Sequence, residues 1–177
     1  MKNTESISFW PTLHNTVIGL LRQPDFALLV GLSCNPFTDP QRCKCVNVMH
    51  VAKGDVLEIF FINLRQNAHP MHVHGYWYNV IGTGSIPGGP ASNQLEYVKH
   101  QNEIGNIARN FDNPPRKDTV QIPLNEYILI RFVAYNPGYW FLHCHMSFHF
   151  IEGLAAVLKV GDKNDWSIPP DFPTCGI

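Results

Sequence analysis

The sequence predicts an all-β domain built as an antiparallel sandwich or barrel, on three observations. Short stretches rich in β-branched and aromatic residues recur from residue 46 onward. Clusters of Gly, Pro and Asn punctuate them. No strand–helix–strand alternation, solenoid repeat or low-complexity tract is present.

Residues 1–45 read as an irregular extension, broken by Pro11, Pro24, Pro36 and Pro40. Within it, Thr16 to Leu21 and Asp25 to Leu32 are compatible with either short helix or extended chain. The patterned part, residues 46–177, begins with Val46-Asn47-Val48-Met49-His50-Val51, which alternates apolar and polar as a half-buried strand does. Lys53-Gly54-Asp55 is a turn, and Val56 to Ile62 has the composition of a second strand. The polar loop Arg65-Gln66-Asn67-Ala68 follows. Tyr76 to Ile81 resumes a strand. Gly82 to Lys117 is an excursion rich in Gly and Pro, with a short helix possible between Gln94 and Asn106. Thr119 to Pro123 and Tyr127 to Val133 are strands, and Asn136-Pro137-Gly138 is a tight turn. Tyr139 to Leu142 and Gly153 to Val160 complete the pattern.

The chain has 177 residues, 45% of them apolar, enough for the core of one compact domain. Its formal net charge is −1 and it has no Lys/Arg cluster, so neither nucleic acid nor an anionic membrane is expected as a partner. The longest strongly apolar stretch, Phe26 to Leu32, is too short to span a bilayer. The N-terminal run Met1 to Ser6 lacks the apolar region of a secretory signal.

Chemistry concentrates in two strings. His69-Pro70-Met71-His72-Val73-His74-Gly75 and His143-Cys144-His145-Met146-Ser147-Phe148-His149 together hold six of the nine histidines. Imidazole and thiolate suit copper, and two His with one Cys is the set of a blue-copper electron-transfer site. In extended chain, residues two apart share a face. His72 and His74 then point one way, and His143 and His145 point opposite to Cys144. A thiolate on one side and imidazoles on the other would hold separate metals joined by one backbone path. His149 returns to the Cys144 side if a turn or helical turn follows, and His69 supplies the second imidazole. Zinc is the competing reading. However, His145 to His149 lacks the Glu of His-Glu-x-x-His, and seven candidate donors exceed the four of a structural zinc. His14, His50 and His100 read as ordinary core or surface residues.

Cys34, Cys43, Cys45 and Cys175 form an even set outside the motif. They read as disulfides and hence as a sign of an oxidising compartment. Cys34–Cys43 with Cys45–Cys175, and Cys34–Cys45 with Cys43–Cys175, are both open. Four free thiols in a cytosolic protein, or bridges to another segment, are the alternatives.

Both strings, in this order and at this separation, resemble the C-terminal cupredoxin domain of laccase-type multicopper oxidases. That family writes them as His-Pro-x-His-x-His-Gly and His-Cys-His-x-x-x-His followed by Gly and Met, Leu or Phe, matched here through Gly153 and Leu154. Cys43-Lys44-Cys45-Val46, Asn113 to Val120, Asn136-Pro137-Gly138 and Phe172-Pro173-x-Cys175-Gly176 are similar to arthropod laccases. The resemblance runs from about residue 34 to the end. It implies a cupredoxin-like Greek-key fold over 46–177, preceded by a linker remnant over 1–45, and an extracellular protein. It implies a type 1 copper on His69, Cys144 and His149, with Leu154 in the axial position, where leucine cannot ligate. It implies type 2 copper on His72, one type 3 copper on His74 and His143, and the other on His145. Electrons from a phenol or aromatic amine would pass through Cys144 and its flanking His143 and His145 to the trinuclear cluster, where O2 is reduced to water.

The other half of the cluster's histidines come, in this family, from His-x-His motifs of an N-terminal domain, and no such motif precedes His72. The chain therefore reads as one domain of three, partnered by N-terminal cupredoxin domains of a longer chain. Alone it is expected to hold the type 1 site and not to reduce O2. A stand-alone electron carrier or a non-catalytic paralogue is a second class, disfavoured because a carrier needs none of His72, His74, His143 and His145. Met71 and Val73 replace the family's frequent Phe and Leu. Ser147 stands where an acidic residue is common. The excursion 84–117 is either a pocket wall or a solvated loop.

Overall fold

The computed structural model describes residues 7–8, 18–20, 48–64, 67–151 and 154–173. Two sheets face each other across one core. In the first, β4 (Val56–Asn63) pairs antiparallel with β9 (Glu126–Val133). β9 in turn pairs with β6 (Tyr78–Ser85), which takes the short β7 (Arg116–Lys117) at its edge. The other edge of β4 is covered in parallel by β1 (Ile7–Ser8) and β2 (Ile18–Leu20). The segment expected to be irregular thus contributes two short strands, and Ile18 to Leu20 is extended rather than helical. The edge pairing gives the backbone groups of β4 partners they would otherwise lack.

The second sheet runs β3 (Val48–Val51), β11 (Ala155–Val160), β10 (Gly138–Cys144), β5 (His69–Val73), β8 (Thr119–Ile122). Its pairings are antiparallel except β3 with β11, which run parallel. Both histidine strings therefore sit at the centre of this sheet. His143 lies opposite His72, and Cys144 opposite Met71.

Period-2 alternation builds the core. Leu57, Ile59 and Phe61 of β4 and Ile128, Ile130 and Phe132 of β9 meet Met71, Val73, Leu142, Ala156 and Leu158 of the second sheet. Each such large side chain contributes about 1.5–3 kcal/mol on burial. The opposite face of the first sheet is also covered. Phe60, Ile62 and Leu129 pack against Val98 of helix α1 (Ala91–Glu103) and against Ile107. That second layer explains why β4 reads as an almost continuous apolar run. It also resolves the excursion, which forms a full helix and a packed lid on the sheet rather than a solvated loop. Glu58 anchors it: its two carboxylate oxygens accept from Arg131, directly across the ladder, and from Arg109, each at 3.0 Å. Among the described residues, no helix is long and apolar enough to cross a membrane. The four cysteines outside the motif, His14, Gly153 and the boundary at residue 46 lie outside the described residues.

Candidate metal centre

On the inner face of the second sheet, three donors converge. Cys144 closes β10 with its side chain in the core, fully buried. His69 opens β5 and points the same way, also buried. Helix α2 (Ser147–Ile151) is a single turn, with the His149 amide donating to the Met146 carbonyl, and it brings His149 back to the sulfur. Cys144 Sγ lies 3.7 Å from His69 Nδ1 and 3.5 Å from His149 Nδ1, and the two rings are 4.6 Å apart at their centroids. A first-row ion with a ring nitrogen at about 2.0 Å and a thiolate at about 2.3 Å holds the two about 3.7 Å apart at a trigonal angle. The two sulfur-to-nitrogen spacings therefore match such an ion, and the three donor atoms lie within 4.8 Å of one another. Leu154, buried, is tied to this site through the backbone. Its carbonyl accepts from the Cys144 amide at 3.0 Å and its own amide donates to the His149 carbonyl at 2.9 Å.

The outer face of the same strands carries the other four imidazoles. His72 and His74 are 4.8 Å apart by ring centroid, and His72 lies 5.7 Å from both His143 and His145. His143 and His145 stack at 5.6 Å, and the Nε2 atoms of His74 and His143 approach to 3.0 Å. Partners fix two tautomers. His72 Nδ1 is 2.9 Å from the Asp118 carbonyl and from Thr119 Oγ1, and His143 Nδ1 is 2.9 Å from the Cys144 carbonyl. A carbonyl oxygen can only accept, so the proton sits on Nδ1 in both rings and the lone pair on Nε2. His72 and His143 thus present Nε2, whereas His69 and His149 turn Nδ1 to the sulfur. Phe141 stacks on His143 at 4.5 Å, and Phe150 meets the same ring edge-on at 5.5 Å.

Burial lowers the pKa of His69, with the charge of His149 adding to the effect. His74 is lowered by burial and then by His72 and His145. His143 is lowered mainly by burial, against a raising contribution from its bond to the Cys144 carbonyl. All three are thereby held neutral, the form that ligates. Burial pushes the Cys144 thiol up, partly offset by a backbone bond from Met146. A metal entering here must displace that proton.

The structure brings together the seven donors of the two strings, three on the inner side with Leu154 beside them and four on the outer face. Several supporting residues carried no sequence signal of their role. Asp118 and Thr119 stand in a quoted motif, yet their contact with His72 follows only from the register of β5 and β8. Trp140 is another: a Cβ on Gly75 would fall 2.3 Å from its ring, so the turn after His74 requires glycine, which also sits at φ +72°.

Comparison with known proteins adds the family. The multicopper oxidase family profile matches residues 22–164. An iron transport multicopper oxidase of Schizosaccharomyces pombe is 37% identical over 120 residues, covering 67% of this chain and 18% of that protein. Laccase-21 of Oryza sativa subsp. japonica is 33% identical over 157 residues, covering 86% of this chain and 24% of its own length. The chain thus spans about a fifth to a quarter of these relatives. Among solved structures, Fet3p, a multicopper oxidase that functions in iron import, superposes with a TM-score of 0.52 at 22% identity, over 92% of this chain and 30% of that one. That likeness supports the cupredoxin-like fold.

Proposed function

The chain belongs to the multicopper oxidase family, and from that premise we propose that it forms the C-terminal, third cupredoxin domain of a laccase-type oxidase of the arthropod kind. Residues 46–177 are the cupredoxin unit and residues 1–45 the segment leading into it. His69, Cys144 and His149 hold the type 1 copper, with Leu154 filling the axial position without ligating. His72 holds type 2 copper, His74 and His143 one type 3 copper, and His145 the other. When bound, copper supplies one-electron acceptance from a phenol or aromatic amine at the inner site and reduction of O2 to water at the trinuclear cluster.

The chain's own residues do the rest. Neutral His69, together with His149 and the Cys144 thiolate, binds on the inner side of the sheet. A site without a strong axial donor favours the reduced ion and a higher potential. Leu154 therefore sets the inner site toward accepting electrons. His143 and His145, joined to Cys144 by single peptide links, provide the covalent electron path to the outer face. The Asp118 carbonyl and Thr119 hydroxyl orient His72, and Phe141 and Phe150 wall His143 from water. The remaining outer donors come from N-terminal cupredoxin domains of the same longer chain. Extracellular placement follows from the cysteine usage.

The observation that carries this reading is the back-to-back arrangement: buried His69 and Cys144 on the inner side of one strand pair, joined there by His149 from α2, and four imidazoles on the other side. The test is copper loading of the full-length protein. An intense visible thiolate-to-copper band, abolished by Cys144→Ser, and oxygen uptake with a phenol are expected. A colourless loaded protein, or colour that survives Cys144→Ser, overturns the reading. The 177-residue chain alone should hold one tightly bound copper, show the band and consume no oxygen. Robust uptake by it would defeat the assignment of the outer histidines as half a cluster.

A further inference from the structure

Resting on the reading of the inner site above, we propose that Asn63 is a positioning residue for that site, acting through the backbone on either side of His69. Asn63 ends β4 and its side chain is fully buried, an unusual place for an amide. Its Nδ2 donates to two carbonyls, that of Asn67 at 2.8 Å and that of Ile122 at 3.0 Å. Asn67 lies two residues before His69 and takes φ +74°, a conformation that Asn tolerates and that turns the lead-in loop sharply. Ile122 is the residue directly across the ladder from His69. One amide therefore clasps the loop that enters His69 and the strand that flanks it.

The ring needs such a clasp. His72 and His143 are steered by hydrogen bonds on the nitrogen facing away from their group, whereas His69 Nε2 is buried with no hydrogen-bond partner among the described residues. With no described residue bonded to the far side of its ring, His69 depends on where its backbone is fixed to keep Nδ1 aimed at Cys144 Sγ. Both donor hydrogens of Asn63 are spent on that fixing. Supporting residues of this kind typically change metal affinity 10–100-fold when removed.

The experiment compares copper-loaded full-length proteins: wild type, Asn63→Leu, Asn63→Ser and a control, Val98→Ala, which truncates the separate core under α1. In Asn63→Leu the charge-transfer band should shift or weaken, the copper hyperfine splitting should change, and copper affinity at the inner site should fall about 10-fold. Asn63→Ser, keeping one donor and room for a water, should lie between this and wild type. Val98→Ala should lower Tm with an unaltered spectrum. Asn63 variants that lose Tm as the control does but keep the wild-type spectrum and affinity overturn the proposal. So does failure of both variants to fold, which makes Asn63 a residue of folding alone. A wild type without the band sinks the reading of the inner site itself, a result separable from either of these.

Discussion

The inner and outer faces of strands β5 and β10 hold donor groups of opposite character. The inner set is the more enclosed: His69 and Cys144 are buried, His149 is half-buried, and buried Leu154 is tied to both Cys144 and His149 through the backbone. The outer set is open: His145 is exposed, His72 and His74 are at most part-buried, and the rings are oriented by neighbours rather than by a closed shell. Burial does different work on the two sides. Inside, it fixes geometry and raises the thiol. Outside, hydrogen bonds to the Asp118 carbonyl, Thr119 and the Cys144 carbonyl fix the tautomers of His72 and His143, leaving the lone pair on Nε2. On the proposed function, a domain built this way would complete one metal site by folding and leave the other to be completed by assembly.

The largest expected effects separate the faces outright. His145→Ala in the full-length protein should reduce oxygen uptake to background while leaving the visible band intact. Cys144→Ser should remove the band while leaving copper on the outer histidines, seen as a persistent paramagnetic signal without thiolate character. If His145→Ala bleached the protein, the two faces would be one coupled site and the comparison would fail.

Gly75→Ala should come next. The added methyl meets the Trp140 ring and imposes φ +72° on a residue with a side chain. A cost of about 2–4 kcal/mol follows, or roughly 5–15 °C in Tm. Because the turn carries His74, the loss should fall on outer-site metal occupancy and spare the band. Equal losses on both faces would mean that the turn supports the whole sheet.

A smaller effect concerns alkaline pH. The Tyr76 hydroxyl donates to the Asn136 carbonyl, and burial pushes its pKa up to about 12. The folded state therefore favours the phenol more than the unfolded chain does, whose tyrosines titrate near about 10. That stabilisation is complete below about pH 10 and is lost as pH rises through about 12. Tyr76→Phe should flatten the fall in stability across this window, read by denaturant melts at several pH values. An unchanged slope would assign the window to other groups.

Least of all, Glu58→Gln should cost about 1–2 kcal/mol. The arginines it leaves are partly exposed, and solvent screens the loss. It should speed hydrogen exchange at Asn110, whose amide donates to the Ile81 carbonyl, without touching either metal face.

The histidine strings were legible because period-2 alternation turns residue order directly into face assignment. The same holds for β4 and β9, whose β-branched and aromatic runs mark them as core strands. What stayed hidden depends on register and on contacts between distant segments. Nothing in Thr119 or Asp118 announces that β8 will lie beside β5, and Asn63 reads as an ordinary polar end to a strand. The excursion was ambiguous because its apolar residues, Val98 and Ile107 among them, are sparse and become meaningful only against the outer face of Phe60 and Ile62. The parallel placement of β3 beside β11 joins the two ends of the patterned region, a pairing that local sequence does not encode.

The alternation in β10 has a further consequence for how this segment can change. His143, Cys144 and His145 are consecutive, so each owes its side of the sheet to its neighbour's. Adding or deleting one residue between Gly138 and Cys144 would reverse every side chain beyond it. The thiol would be carried out to solvent and the imidazoles into the core. Substitution can tune either face separately, but insertion and deletion cannot. Variation in length along this stretch should thus be confined to the turn at Asn136 and to the segment after His149.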